Sequence, residues 1–168
     1  MTEREIHQAL RILRREVPKW DTPVVTLMAE TYQNPFRVLI SCILSLRTQD
    51  ATTAKASHRL FAVADAPEAM VKLTAKKIEK LIYPVGFYKT KARQIREMCQ
   101  TIIDRHDGKV PDEIDELLEF KGVGRKTANL VVTLGYNKPG ICVDTHVHRI
   151  SNRWGYIETA TPEKTEVA

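Results

Sequence analysis

The residues of this chain with the clearest potential for chemistry are Lys126 and Asp144. Lys126 follows Arg125 in the first turn of a predicted helix, where the positive end of the helix dipole and the neighbouring guanidinium both disfavour an ammonium ion. A neutral amine is a nucleophile that can form a Schiff base. Asp144 follows a turn at 137–140 and the apolar residues 141–143, so a helix and a sharp return can bring its carboxylate back toward the lysine. Each residue alone has a simpler interpretation, a phosphate contact for the lysine and a helix cap for the aspartate.

Lys126 belongs to a predicted helix-hairpin-helix at about 112–135, in which two amphipathic helices flank the turn Gly122-Val123-Gly124. Glycine lets backbone approach backbone or a ligand without a Cβ in the way. The amides that open the second helix, together with its dipole, attract an anion, and in a chain of net charge +5 we expect a nucleic-acid phosphate. We therefore interpret the hairpin as a clamp on a DNA backbone. Its expected contacts are Gly122, Val123, Gly124, Arg125 and Thr127.

Two loops carry further side chains suited to DNA. The first follows the apolar helix FRVLISCILSL and contains Arg47 and Gln49, before Asp50, which we expect to cap the next helix. The second joins Gly86, Phe87, Lys89 and Lys91, a combination in which an aromatic face can stack on bases while lysines hold phosphates. The alternatives are an ordinary solvated loop in the first case and a buried aromatic at Phe87 in the second.

Length, charge and cysteine content restrict the kinds of protein that this chain can be. The chain has 168 residues, of which 43% are hydrophobic, as in a globular protein. It contains 26 Lys and Arg against 21 Asp and Glu, a balance that suits a polyanionic partner but is also common in proteins without one. No signal peptide or membrane-length apolar span is present, and we expect a monomer in the cytoplasm, associated with the nucleoid in a prokaryote. Cys42, Cys99 and Cys142 are widely spaced in apolar strings, which favours buried thiols over disulfides or a metal site.

Helix start signals occur along the whole chain, and no alternating strand pattern does, so the fold class is all-α. Asn34 and Pro35 begin the apolar helix, which should be the buried central one. Thr161, Pro162 and Glu163 also form a start signal, but we expect no helix of useful length before Ala168. The remaining predicted starts are the capping box Thr2 and Glu5, a short helix at Val24 to Tyr32, and helices beginning near Pro67 and Thr74.

The strings LLEFKGVGRKTANLVV and VDTHVHR resemble the signature of the endonuclease III family of DNA glycosylases, and the likeness extends over most of residues 20–157. The resemblance implies that Lys126 attacks the sugar and that Asp144 assists. His146 lies on the same return segment as Asp144 and is a candidate DNA contact, with a helix cap or a surface contact as the alternative. It also implies that a loop glutamine fills the gap left by a flipped nucleotide and that Phe87 forms a second wedge. Arg47 stands at the glutamine position and Gln49 two residues later, so we expect Arg47 to fill the gap and to favour guanine as the opposite base.

The resemblance further implies a two-lobed fold with the active-site cleft between the lobes. Residues 23–136 would form one lobe, and residues 1–22 with 137–168 a second lobe that is incomplete at its C-terminus. The expected activity is excision of an oxidised pyrimidine from double-stranded DNA, followed by cleavage of the abasic site through a lysine Schiff base. A non-enzymatic DNA-binding module and a mismatch-specific glycosylase are the alternatives. Relatives carry four cysteines in the pattern C-x6-C-x2-C-x5-C for an iron-sulfur cluster; that pattern is absent here, so we expect no cofactor and a truncated chain.

Overall fold

The computed structural model describes residues 1–32 and 34–168, with Thr31 and Tyr32 described by their backbone alone. Within these residues eleven α-helices form and no β-strand is present, which confirms the all-α prediction. None of the described helices has the length and apolar character needed to span a bilayer. The helices are α1 Glu3–Glu16, α2 Val24–Tyr32, α3 Pro35–Ser45, α4 Asp50–Phe61, α5 Pro67–Val71, α6 Ala75–Ile82, α7 Tyr88–His106, α8 Ile114–Leu118, α9 Arg125–Leu130, α10 Thr145–Arg153 and α11 Pro162–Val167; a 3₁₀ turn at Val17–Lys19 follows α1 and a π-helical turn at Val131–Gly135 continues α9.

The chain divides into two compact units. The larger unit comprises Pro23–Gly140, and the smaller unit comprises Met1–Thr22 together with Ile141–Ala168. The larger unit has a single hydrophobic core, and α3 lies at its centre, in contact with α2, α4, α7, α9 and the π-helical turn.

Helix α3 is buried on every face, as its nearly uniform apolar sequence predicts. Asn34 caps its first turn, with Oδ1 accepting from the N–H groups of Phe36 and Arg37, and Pro35 occupies the first helical position. Its side chains from Val38 to Leu44 are at most 1% exposed. A helix with no solvent-facing side must satisfy its terminal carbonyls within the protein, because water cannot reach them.

Most helix starts lie where the sequence predicts them. Thr2 and Glu5 form a reciprocal capping box, and Thr74 caps α6 by accepting from the N–H of Lys77. The prediction that Asp50 caps α4 is wrong. Asp50 is the first helical residue of α4, and its Oδ2 accepts from Val24 N at 3.2 Å, so that it binds the start of α2 instead.

The smaller unit contains α1, α10 and α11. The Met1 ammonium donates to the carbonyl of Trp154 at 2.6 Å, which satisfies the C-terminal end of α10. Helix α11 is capped by Thr161 and is six residues long, so a short helix does form where we expected none of useful length. Its Thr165 lies 2.7 Å from Nδ1 of His148, and this hydrogen bond stabilises the short helix by joining it to α10.

Two serines of α3 allow a matched test of its burial. Ser41 Oγ is buried without a hydrogen-bond partner, whereas Ser45 Oγ donates to the carbonyl of Cys42 at 2.8 Å. Ser41→Ala should raise the free energy of unfolding by about 1 kcal/mol, because an unbonded hydroxyl leaves the core and alanine favours the helix. Ser45→Ala loses a bond of about that size and should stabilise less or destabilise. Urea denaturation measures both, and a larger loss of stability in the Ser41 variant would contradict the structure.

Candidate nucleic-acid interface

The helix-hairpin-helix forms from α8, a turn at Gly122 to Gly124, and α9. Leu117, Val123 and Ala128 pack into the core and hold the two helices together. The two glycines differ in what they require. Gly122 has φ +88°, a conformation that only glycine adopts without strain, and a Cβ there would lie 3.3 Å from Nε2 of Gln94. Gly124 has φ −103°, and a Cβ built on it would meet no described atom within 4 Å, so its environment within the protein is open.

The start of α9 is suited to anion binding by its backbone. Gly124 provides no side-chain cap, and the first helical hydrogen bond runs from Ala128 N to Gly124 O. The amides of an uncapped first turn point outward along the positive end of the helix dipole. Arg125 is half-buried and Lys126 exposed in this same turn.

Two expected contacts of the hairpin are corrected by the structure. Val123 is 7% exposed, and its N–H donates to the carbonyl of Phe120 at 3.0 Å, so neither its side chain nor its amide faces outward. Thr127 is 5% exposed because it lies on the face of α9 that packs into the core. Its side chain is therefore unavailable to a phosphate, which leaves recognition to the backbone and to Arg125 and Lys126.

Lys126 and Asp144 belong to different units. Lys126 is the second residue of α9 in the larger unit, and its side chain is exposed. Asp144 caps α10 in the smaller unit, where Oδ1 accepts from the N–H groups of His146 at 2.9 Å and Val147 at 3.0 Å. The cap interpretation of Asp144 is therefore correct, and its half-buried carboxylate is fixed in place by these bonds. His146 is exposed, with Nδ1 at 3.3 Å from Nη2 of Arg149.

We call residues 46–49 the first loop and residues 83–87 the second loop. Arg47 in the first loop and Phe87 in the second both have positive φ, of 53° and 57°, which is uncommon for residues with a side chain. Phe87 is 62% exposed, so the alternative of a buried aromatic is wrong. The Arg47 guanidinium carbon lies 5.6 Å from the centre of the Phe87 ring, within range of a cation–π contact. Gln49 is exposed as well, at the N-terminus of α4.

Lys89 and Lys91 follow the second loop, in the first turn of α7, and differ in exposure. Lys89 is exposed, as a phosphate contact requires. Lys91 is only 5% exposed, and its Nζ donates to the carbonyls of Leu44 at 3.0 Å and Leu46 at 2.5 Å. The expectation that Lys91 contacts a phosphate is therefore wrong. The sequence could not reveal this, because its partners lie 45 to 47 residues away in the chain.

The cysteines of this chain do not fit the iron-sulfur cluster that the resemblance implies. Such a cluster needs four thiolates, and the sequence has three cysteines. Cys42 and Cys99 are buried in the hydrophobic core, where burial and, to a smaller extent, the Glu68 carboxylate raise the pKa of the Cys99 thiol to about 12. Among the described residues no group of three or more His, Cys, Asp or Glu side chains could hold a metal ion.

Comparisons with known proteins agree with this geometry. Residues 40–168 match the family described as HhH-GPD superfamily base excision DNA repair protein. The endonuclease III of Thermotoga maritima is 50% identical over 135 residues, which cover 80% of this chain and 63% of the relative. The chain thus spans less than two thirds of that relative's length.

Two solved structures are similar over nearly the whole chain. A non-covalent complex of endonuclease III with DNA and a trapped covalent endonuclease III–DNA intermediate each align with a TM-score of 0.85 and 35% identity, over 99% of this chain. The two alignments cover 75% and 76% of the respective solved chains. With its helix-hairpin-helix and all-α fold, the chain belongs to the HhH-GPD superfamily of base excision DNA repair proteins, in the endonuclease III family.

Proposed function

We propose that the protein removes a damaged base, an oxidised pyrimidine, from double-stranded DNA and then cleaves the abasic site as a lyase. The observation that carries the proposal is the exposed amine of Lys126 in the uncapped first turn of α9, where a bound phosphate backbone would bring a sugar within reach. A module that only clamps DNA needs no nucleophile there. The trapped covalent intermediate of endonuclease III with DNA supports covalent chemistry in this family. On this proposal the protein acts as a monomer where DNA is present, in the cytoplasm or nucleoid.

The proposed reaction begins with extrusion of the nucleotide, because a stacked base cannot be reached. The Lys126 amine attacks C1′, forming a C–N bond while the bond from C1′ to the base breaks and its electron pair leaves with the base. Asp144 stabilises the positive charge that develops on the sugar. Opening of the sugar ring gives an imine, loss of a proton from C2′ follows, and elimination of the 3′ phosphate cuts the strand.

We propose that DNA is held by the hairpin backbone, Arg125 and Lys89, and probed by Arg47, Gln49 and Phe87. The residues of the larger unit would then supply the nucleophile and most phosphate contacts. The smaller unit would supply Asp144 and His146. These two units are the proposed lobes of the enzyme.

Borohydride trapping on a duplex with one abasic site tests the nucleophile. The protein should give a covalent adduct, since only an amine that attacks C1′ leaves a reducible imine. Lys126→Gln should lose at least about 95% of the adduct and keep most of the DNA affinity. Lys121→Gln removes the same charge from an exposed lysine before the turn and is the matched control, expected to trap normally.

The outcomes separate the alternatives. Efficient trapping by Lys126→Gln would make another amine the nucleophile; the Met1 amine is a poor candidate, because it is bonded to Trp154 in the smaller unit. Tight binding without any adduct in the unaltered protein would favour the non-enzymatic module. Adduct formation combined with release of an undamaged mispaired base would favour the mismatch-specific glycosylase.

The two hairpin glycines test the backbone clamp. Gly124→Ala should leave stability nearly unchanged, because the position is open and its φ suits alanine, yet lower duplex affinity about tenfold by obstructing the phosphate. The slope of log K against log salt should also fall by about 0.9, the value for one phosphate. Gly122→Ala should instead cost about 1–2 kcal/mol of stability through its positive φ. Equal affinity of Gly124→Ala and the unaltered protein at every salt concentration would exclude this clamp.

The role of the two loops is tested by placing the lesion opposite each of the four bases. Arginine can hydrogen-bond an orphaned guanine, whereas phenylalanine can only stack. Arg47→Ala should therefore abolish a preference for opposite guanine, and Phe87→Ala should lower activity equally for all four bases. Gln49→Ala is the comparison. If only the Gln49 variant loses the preference, the role belongs to Gln49.

A further inference from the structure

The first and second loops are joined beneath their exposed side chains by one buried cation. Lys91 lies in the first turn of α7, and its Nζ donates to three acceptors of the first loop and the end of α3: Leu44 O, Leu46 O and Thr48 Oγ1 at 3.4 Å. An ammonium has three donors, so these contacts use its full capacity. None of the acceptors is charged.

The carbonyls of Leu44 and Leu46 lie at the C-terminal end of α3, where the helix itself provides no donors. The last turn of a helix has carbonyls without partners in the helix, and its negative dipole end favours a cation. Ser45 Oγ satisfies Cys42 O and Thr48 N satisfies Ser45 O. Lys91 satisfies the carbonyls of Leu44 and Leu46. The Leu44 carbonyl is buried and depends on the ammonium, whereas the part-buried Leu46 carbonyl also accepts from the Thr48 hydroxyl at 3.3 Å.

Thr48 extends the connection to the second loop. Its Oγ1 also accepts from the N–H of Gly86 at 3.1 Å. A Cβ at Gly86 would lie 2.5 Å from the carbonyl oxygen of Arg47, so only glycine permits the backbones to approach this closely. Arg59 of α4 holds the other end of the second loop, donating to Leu81 O at 2.8 Å and Tyr83 O at 2.5 Å.

We propose that Lys91 is a positioning residue that locks the two loops into one rigid probe, so that Arg47 and Phe87 enter the DNA duplex together. This inference rests on the proposed function of the protein. Flexible loops would lose conformational entropy when they insert into the base stack, and loops already fixed in place avoid that loss. The Arg47 and Phe87 side chains, which are in cation–π contact, form the exposed surface of the two connected loops.

The charge of Lys91 makes this role dependent on pH. Burial lowers its pKa from the usual value to about 8. The charged side chains of the adjoining segments have other contacts: Arg47 with the Phe87 ring, Asp50 with Val24 N, Lys89 near the Tyr88 ring, and Arg59 with the carbonyls of the second loop. Above pH 8 the folded protein loses this proton before the unfolded chain does. The contribution of Lys91 to the free energy of unfolding therefore rises with pH. The connection between the loops nevertheless weakens, because the neutral amine has only two donors for its three acceptors.

The test compares single-turnover cleavage of an abasic site in a duplex with cleavage of the same site in single-stranded DNA, which needs no insertion. Lys91→Met has similar length without donors, and Thr48→Val has the same shape without the hydroxyl. Each should lower the duplex rate at least tenfold and leave the single-strand rate within about twofold. Thr48→Ser keeps the hydroxyl and should restore the duplex rate. The double variant should be no slower than the slower single variant, because both break one connection.

Insertion is measured separately in the Lys126→Gln background, with 2-aminopurine opposite the abasic site. The fluorescence change on binding should be smaller when Lys91→Met is added, at saturating protein. Equal loss on both substrates, or no loss on either, would overturn the inference. Absence of cleavage of both substrates by the unaltered protein would instead reject the proposed function. If Lys91→Met does not fold, Thr48→Val and Thr48→Ser decide the question by the same criteria.

The pH dependence distinguishes positioning from simple structural support. The ratio of duplex to single-strand rates cancels the titration of the nucleophile, and it should fall as pH rises through about 8 in the unaltered protein. In Lys91→Met the ratio should be low and independent of pH. A constant ratio in the unaltered protein between pH 7 and pH 9.5 would exclude a role for the ammonium.

Discussion

Burial of α3 from Val38 to Leu44 is the constraint on which the rest of the larger unit depends. A helix without a solvent face gains hydrophobic contacts all round, but its terminal carbonyls must then find donors in the protein. Three groups in this structure meet that need for four carbonyls: the Ser45 hydroxyl, the Thr48 amide and, for two of the carbonyls, the Lys91 ammonium. The first loop begins at this point, and the same hydrogen bonds fix its backbone to the core.

A rigid loop base allows exposed side chains to be held in unusual conformations. Arg47 and Phe87 both occupy the left-handed region, which costs energy for residues with a Cβ and persists only where surrounding contacts impose it. The close approach at Gly86 and the bonds of Thr48 are such contacts. On the proposed function Arg47 and Phe87 enter a base stack, and side chains placed before binding bind at a lower entropic cost because they are ordered during folding.

The turn of the helix-hairpin-helix contains two glycines that are needed for different reasons. Gly122 is required by its own backbone conformation, whereas Gly124 faces open space and is required by nothing in the protein. Gly122 is therefore needed for the conformation of the turn, whereas the role proposed for Gly124 is contact with a phosphate. Val123 between them packs into the core and fixes the turn, so the outward-facing backbone and the neighbouring Lys126 have a stable base.

The sequence by itself determined the features that depend on neighbouring residues or on a regular period. It predicted the all-α class, the caps at Thr2, Asn34 and Thr74, and the burial of α3, because capping and helical periodicity act within a few residues. The family was also recognisable, because the hairpin string is contiguous in the chain.

The tertiary structure alone decided the partners of three polar residues. Asp50 binds the start of α2, Lys91 the end of α3, and Arg47 the ring of Phe87, although local patterns predicted a cap, a phosphate contact and separate wedges. Each of these partners lies 26 or more residues away along the chain. An exposed lysine such as Lys89 and a buried lysine such as Lys91 cannot be told apart from the neighbouring sequence. Only the packing of α7 against α3 determines that the Lys91 ammonium is buried.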